Sequence, residues 1–235
     1  MYPLPRDLQI ITHISDFQLV SSGQLQSIFF HANRSPTAFR NVMKRLDERG
    51  FVMTLSQTVS NSPHGGGAQK VFYLGPEGWS LTGHTERYQR RSKVNYYKLL
   101  HTLAIGDVYA NVRKYEREGR LILDAYATEP DCHQYIDGIE LEPDITLTLR
   151  RPGAEASAEF WLEVDMDSQG ERRIGEKMDR YVKASRGKTV FPFVVFVTTS
   201  EHRQAAIEGY IRKRPPSEQR IFRVSTVDKF PFNIN

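Results

Sequence analysis

The sequence has one cysteine, Cys132, among its 235 residues. An intrachain disulfide therefore cannot form, and a zinc site built from several thiolates is excluded. No apolar run approaches the roughly 20 residues that a membrane-spanning helix needs. The N-terminal residues MYPLPRDLQ also lack the basic and apolar regions of a secretory signal peptide. These absences predict a cytoplasmic protein that is not inserted in a membrane.

The sequence also lacks the short motifs of several enzyme classes. It contains no Gly-x-Ser-x-Gly nucleophile elbow and no His-Glu-x-x-His zinc helix. The run from His64 to Gly67 is not followed by the lysine and hydroxyl residue of a nucleotide-binding loop. We interpret this run as the tip between two strands.

Charged residues are unevenly distributed along the chain. Residues 1–100 hold 12 Lys and Arg against 6 Asp and Glu, a net charge of +6, and the remaining residues hold 20 against 22. A basic N-terminal part attracts a phosphate backbone, whereas a slightly acidic C-terminal part is compatible with a carboxylate metal site. The apolar share of 39% and the charged share of 26% are typical of a globular protein.

The N-terminal part predicts three helices followed by a β-hairpin. Apolar residues recur at helical spacing in residues 6–17, Ser21-Ser22 can cap a second helix, and Ser35-Pro36 can start a third that ends near Arg49. Strands at residues 51–57 and 71–74 then flank a polar, glycine-rich stretch. This order predicts a winged helix-turn-helix domain over residues 1–90.

The outward face of the third helix is polar and basic, which suits insertion into the major groove of double-stranded DNA. A solvated amphipathic helix is the alternative interpretation. The candidate DNA-binding residues are Arg34, Ser35, Thr37, Arg40, Asn41 and Lys44.

The second domain is predicted over residues 91–235. Residues 75–79 predict a turn, residues 82–92 a polar connector, and residues 131–137 a loop. A long helix at residues 93–118 is followed by strands and helices. The strands are expected at residues 120–127, 190–199 and 220–226, together with the hairpin described next, and the helices at residues 170–185 and 201–214.

The stretch EPDITLTLRRPGAEASAEFWLEVD, residues 142–165, predicts two strands joined by a turn at Pro152-Gly153. Asp144 begins the first strand, and Glu163 and Asp165 end the second, so the carboxylates are expected side by side. Carboxylate oxygens can hold Mg²⁺ or Mn²⁺, which would suit chemistry on a phosphodiester. Surface salt bridges to nearby arginines are the alternative.

The order of these elements, with Pro143-Asp144 and Glu163-x-Asp165 on neighbouring strands, resembles the PD-(D/E)XK nuclease fold over residues 96–199. The resemblance implies a mixed α+β or α/β chain in which a restriction-endonuclease-like αβββαβ domain follows the winged helix. It also implies catalytic and metal-binding roles for Asp144 and Glu163. Asp165 stands where the family carries lysine. In relatives of this fold the following helix can supply the lysine, so the resemblance implies that role for Lys177 and the role of an additional metal ligand for Asp165.

The whole pattern is similar to that of the replication-relaxation family. The pieces that carry the similarity are SSGQLQSIFF, KVFYLGPEGWSLTG, HTLAIGDVYANV and the segment from Pro143-Asp144 to LEVDMDSQGERRIGEKMDRY. Membership would imply DNA binding linked to the replication or transfer of a plasmid or mobile element.

Two hypotheses about function follow. The first is a Mg²⁺- or Mn²⁺-dependent DNA endonuclease in which Asp144, Glu163, Asp165 and Lys177 form the site. The second is a DNA-binding regulator or replication accessory protein that does not cleave. In the second hypothesis the nuclease-like domain forms a homodimer or binds other replication or transfer proteins of the same element.

Overall fold

A computed structural model of the chain describes residues 2–33, 35–59, 67–91, 93–167 and 169–231. The protein has a mixed α+β fold, and the chain divides into two compact units, residues 1–110 and residues 111–235. The division falls within a long helix. No helix among the described residues is long and apolar enough to cross a membrane.

The first unit combines helices with a three-stranded antiparallel sheet of order β1-β3-β2. Its elements are α1 (Pro5–Phe17), β1 (Val20–Ser21), α2 (Ser22–Phe29), α3 (Thr37–Glu48), β2 (Val52–Val59), β3 (Gln69–Leu74), α4 (Pro76–Leu81) and the first part of α5 (Tyr96–Arg117).

Local sequence signals explain where several of these helices lie. Ser21 caps α2 as predicted, because its Oγ accepts a hydrogen bond from the backbone N–H of Gln24 at 3.2 Å. The helix α3 begins one residue after Pro36, which is itself the N-cap. Arg45 of α3 donates to both carboxylate oxygens of the buried Asp7, at 2.7 and 2.8 Å, and so attaches α3 to α1.

The second unit is built on a five-stranded mixed sheet of order β10-β9-β8-β7-β4. Strands β4, β7 and β8 are antiparallel, and β8, β9 and β10 are parallel. The elements after α5 are β4 (Ile122–Thr128), β5 (Gln134–Ile136), β6 (Ile139–Leu141), β7 (Ile145–Arg150), β8 (Ser157–Asp165), α6 (Glu171–Ser185), β9 (Phe193–Thr198), α7 (Glu201–Arg212), α8 (Pro216–Gln219) and β10 (Phe222–Thr226).

A hydrophobic core lies between this sheet and the helices α6 and α7. The apolar stripe of α6, including Ile174 and Met178, packs with Ile207 of α7 against Val194 and Phe196 of β9. The uninterrupted apolar run of β9 predicts burial of both of its faces, and residues 194–197 are fully buried.

Two predictions of local structure were wrong. Residues 75–79 form the start of the helix α4 and not a turn, because Gly75 serves as N-cap and Pro76 occupies the first helical turn. The expected loop at residues 131–137 contains β5, which pairs with β6 in a separate two-stranded sheet. Both elements are short, so they carry little periodicity. The glycine-rich tip expected at residues 64–67 lies mostly outside the described residues.

Candidate functional site

Pairing of β7 with β8 brings Asp144 next to Glu163. Ile145 pairs with Leu162 in the antiparallel register, so Asp144, one residue before β7, lies opposite Glu163. The backbone N–H of Asp144 donates to Leu162 O at 2.8 Å, and its Oδ2 accepts from the N–H of Val164 at 2.6 Å. These bonds hold a buried carboxyl group at the end of the hairpin.

Two side chains of α6 contact the carboxyl group of Glu163. The Lys177 ammonium donates to Oε2, and the Tyr181 hydroxyl donates to Oε1 at 2.7 Å. Lys177 and Tyr181 are four residues apart and therefore lie on one face of the helix. Glu163 is thus bonded through both oxygens while it is buried from solvent.

Burial and the neighbouring charges together shift the pKa values of this cluster. Burial raises the pKa of Glu163; attraction to Lys177 opposes this shift and repulsion from Asp144 adds to it. Burial lowers the pKa of Lys177, but the carboxylates of Glu163 and Asp144 outweigh that effect, so the net shift is upward. Burial and the neighbouring Glu163 also raise the pKa of Tyr181. The Lys177 ammonium is therefore bonded to Glu163 and attracted to Asp144, and Tyr181 acts as a neutral donor.

Asp165 has a different environment. Both of its carboxylate oxygens accept hydrogen bonds from Arg203 of α7, at 3.2 and 2.8 Å. Arg203 also donates to the backbone oxygen of Gln169 and lies 3.5 Å from a carboxylate oxygen of Asp167. The hydrogen bonding that Arg203 donates to Asp165 is the largest cause of the raised pKa of Arg203. The guanidinium is therefore always charged and neutralises Asp165.

The donor chemistry of the site fits a divalent cation held by two carboxylates. Asp144 and Glu163 carry hard oxygen atoms and lie opposite each other in the register of β7 and β8, and Mg²⁺ is often bound through one or two carboxylates with substrate phosphates completing its coordination. Within the described residues, no group of three or more His, Cys, Asp or Glu side chains is arranged to hold a metal ion. The metal-binding role of Asp144, Glu163 and Asp165 stays a prediction.

Five of the six candidate DNA-binding residues belong to the described chain, and all five are exposed around α3. Thr37, Arg40, Asn41 and Lys44 lie on that helix, and Ser35 precedes it with its Oγ 2.8 Å from Thr37 Oγ1. Lys44 forms an exposed ion pair with Glu48 at 3.7 Å. The sixth candidate, Arg34, lies outside the described residues.

Two residues of the site were missed by sequence reasoning. Tyr181 could have been found, because it follows Lys177 by four residues on the same helical face. Arg203 gave a weaker signal. It lies in the first turn of α7, and its proximity to Asp165 depends on the parallel pairing of β8 with β9, in which Asp165 aligns with Thr198.

Comparisons with known proteins give one match. A protein-family model described as replication-relaxation matches residues 11–192. No curated protein matches the chain, and no solved structure matches it.

Proposed function

This chain belongs to the replication-relaxation family, and from that premise we propose that it binds double-stranded DNA during the replication or transfer of a plasmid or mobile element and cleaves or nicks it. The DNA-binding part is assigned to a winged helix-turn-helix at residues 1–90, and the cleaving part to a nuclease-like domain at residues 91–235.

The order of elements in the first unit supports the DNA-binding part of this proposal. The helices α1, α2 and α3 precede the hairpin β2–β3, and β1 completes a small sheet, as a winged helix requires. The exposed polar face of α3 would enter the major groove. Arg40 and Asn41 are suited to base edges and Lys44 to phosphate.

One observation carries the catalytic part of the proposal. Lys177 reaches from α6 to the carboxyl group of Glu163, and Asp144 lies opposite Glu163 in the register of β7 and β8. The strands β4, β7 and β8 followed by α6 and the parallel strand β9 also support an αβββαβ arrangement. Two carboxyl groups and a cation from the next helix are what a nuclease of this type would need.

Each residue of the site has a specific task in this proposal. Asp144 and Glu163 would hold Mg²⁺ or Mn²⁺, which when bound supplies a Lewis acid for a phosphodiester oxygen and lowers the pKa of a bound water. Lys177 places positive charge beside the scissile phosphate. Tyr181 orients Glu163 through its hydrogen bond. Asp165 and Arg203 fix the end of β8 against the start of α7.

Nicking of supercoiled plasmid by the full-length protein tests the proposal. With Mg²⁺ or Mn²⁺ the wild type is expected to convert supercoiled DNA to open circles, and Asp144→Asn and Glu163→Gln to abolish conversion. Lys177→Met should slow it roughly a hundredfold, because an electrostatic contact to developing charge is removed. Glu155→Gln is the matched control, since Glu155 is an exposed carboxylate in the turn of the same hairpin.

Circular dichroism of each variant would exclude unfolding as the cause of lost nicking. Nicking that persists in Asp144→Asn and Glu163→Gln at the wild-type rate would contradict the assigned site. Absence of nicking by the wild type with both metals would contradict the proposed cleavage activity.

The contact between Asp165 and Arg203 favours a second candidate function, DNA binding without cleavage. Arg203 neutralises Asp165, the carboxylate at the position where PD-(D/E)XK nucleases carry lysine. Lys177 and Tyr181 bond both oxygens of Glu163. In this case the second unit would serve as a surface for a homodimer or for other replication or transfer proteins. Tight DNA binding without metal, and without any nicking, is its expected signature.

A further inference from the structure

Two consecutive tyrosines at the start of α5 are exposed. Tyr96 is 50% exposed and Tyr97 is 77% exposed. Exposed Lys93 and Lys98 flank them in sequence. These four residues are called the tyrosine platform below.

The backbone beneath the tyrosine platform is firmly attached to the first unit. Gln57 of β2 makes two hydrogen bonds to the backbone of Val94, donating to its oxygen at 2.9 Å and accepting from its N–H at 2.7 Å. Asn95 Oδ1 accepts from the N–H groups of Tyr97 and Lys98, at 3.0 and 3.2 Å. The chain just before α5 is therefore held by Gln57, and the first turn of α5 is capped by Asn95.

Buried leucines later in α5 anchor the same helix. Leu99 and Leu103 pack with Leu55 of β2 and Val71 of β3 in one hydrophobic cluster, and Leu99 is fully buried. The tyrosine rings therefore project from a fixed frame. A ligand that stacks on them would order little of the protein, which lowers the entropic cost of binding.

The sequence around the tyrosine platform is basic. Residues 84–101 contain five Lys and Arg and a single acidic residue, Glu86. Of these cations, Arg87 and Arg90 are exposed, and Arg91 lies 3.4 Å from Gln18 Oε1. Exposed aromatic rings among cations are complementary to a polyanion that carries flat, accessible rings.

We infer that the tyrosine platform binds single-stranded DNA, with bases stacked on Tyr96 and Tyr97 and phosphates near Lys93 and Lys98. Stacking on aromatic side chains within a basic surface is the usual means of holding a single strand without sequence preference. A duplex keeps its base faces inside the stack, so it cannot use the rings. This site is separate from the carboxylate cluster, and it goes beyond the proposed function because it needs neither metal nor cleavage.

Fluorescence anisotropy of the full-length protein with a labelled oligothymidylate, in EDTA, tests the inference. Tyr97→Ala is expected to weaken binding roughly five- to a hundredfold, which is the range for loss of one base stack. Tyr97→Phe should bind like the wild type because the ring is kept. Tyr135→Ala is the matched control, because Tyr135 is 76% exposed on β5 of the second unit.

A lysine variant separates phosphate contacts from stacking. Lys93→Gln with Lys98→Gln should lower the slope of log affinity against log salt by roughly 1.4, about 0.7 for each contact with a single strand. Equal affinities of Tyr97→Ala and Tyr135→Ala would overturn the inference, as would wild-type failure to bind the oligonucleotide. Competition against the labelled oligonucleotide by an unlabelled duplex and an unlabelled single strand of equal length gives a further test. The inference would be overturned if both competitors bound the wild type equally well and Tyr97→Ala weakened the binding of both equally.

Discussion

At the residue scale, buried charges in this protein are matched by specific donors from other elements. Glu163 has Lys177 and Tyr181, and Asp165 has Arg203. Such contacts differ in kind from exposed pairs such as Lys44 with Glu48, which contribute little to stability. Removing one partner of a buried pair leaves the other charge without compensation, which is costly.

Asp107 of α5 is another buried acid, and its environment predicts a pH-dependent stability. Its Oδ1 accepts a hydrogen bond from Gln24 Nε2 at 2.6 Å. Burial raises its pKa to about 7, and the hydrogen bond from Gln24 opposes the shift. A carboxyl whose pKa is raised in the folded state stabilises that state fully below its unfolded pKa of about 4. That contribution is lost as the pH rises through about 7.

Asp107→Asn should therefore remove this pH dependence, because the amide stays neutral and its oxygen can still accept from Gln24. The free energy of unfolding of the variant minus that of the wild type should therefore increase by up to about 4 kcal/mol from pH 4 to pH 8. Urea unfolding across that range measures it. Asp47→Asn, at an exposed position of the same unit, is the control. Parallel curves for Asp107→Asn and the wild type would contradict the assignment.

At the scale of elements, the start of α4 shows that tertiary contacts can determine whether a short segment forms a helix or a turn. Cβ atoms added to Gly75 or Gly78 would come within 2.2 Å of Gly50 O and 2.1 Å of Phe51 O, respectively. The helix therefore lies directly on the backbone turn that follows α3. A glycine-rich sequence predicts a turn when read locally, whereas here the glycines permit close packing of a helix.

Two alanine substitutions should have opposite effects for this reason. Gly78→Ala is expected to lower the free energy of unfolding by about 1–3 kcal/mol, because the new methyl group meets backbone that cannot easily move. Gly175→Ala in α6 should raise it by about 0.5–1 kcal/mol, since nothing lies within 4 Å of the added Cβ and alanine favours helix. Denaturant midpoints of both variants check the pair. A stabilising Gly78→Ala would show that α4 does not pack as described.

At the scale of the whole molecule, positive charge is concentrated in the N-terminal residues. The net charge of +6 over residues 1–100 coincides with the unit that carries α3 and the tyrosine platform. A basic surface of this kind contributes a salt-dependent, sequence-independent share of affinity for DNA.

The affinity of the full-length protein for duplex DNA should therefore fall steeply with salt. Arg40→Ala with Lys44→Ala is expected to weaken binding and to reduce the slope of log affinity against log salt by roughly 0.9, the share of the one phosphate contact that is assigned to Lys44. Arg212→Ala with Lys213→Ala removes the same charge from exposed positions in the second unit and serves as the control. Equal slopes for the two double variants would contradict the assignment of α3 to the DNA interface.

Elements with a strong local pattern could be predicted from the sequence. The helical spacing of apolar residues located α1, α3 and α6, and the Pro152-Gly153 turn located the hairpin β7–β8. Short elements such as α4 and β5 could not be predicted, because a few residues carry too little periodicity to outweigh glycine, proline and polar side chains.

The sequence by itself determined the basic and acidic parts of the chain, the hairpin that brings Asp144 to Glu163, and the family to which the chain belongs. Only the tertiary structure decided that Lys177 bonds Glu163 and that Arg203 binds Asp165. The reason is that hairpin register is set by neighbouring residues and one turn. Contacts from α6 and α7 depend instead on the order of strands in the sheet and on where each helix begins, which no local pattern encodes.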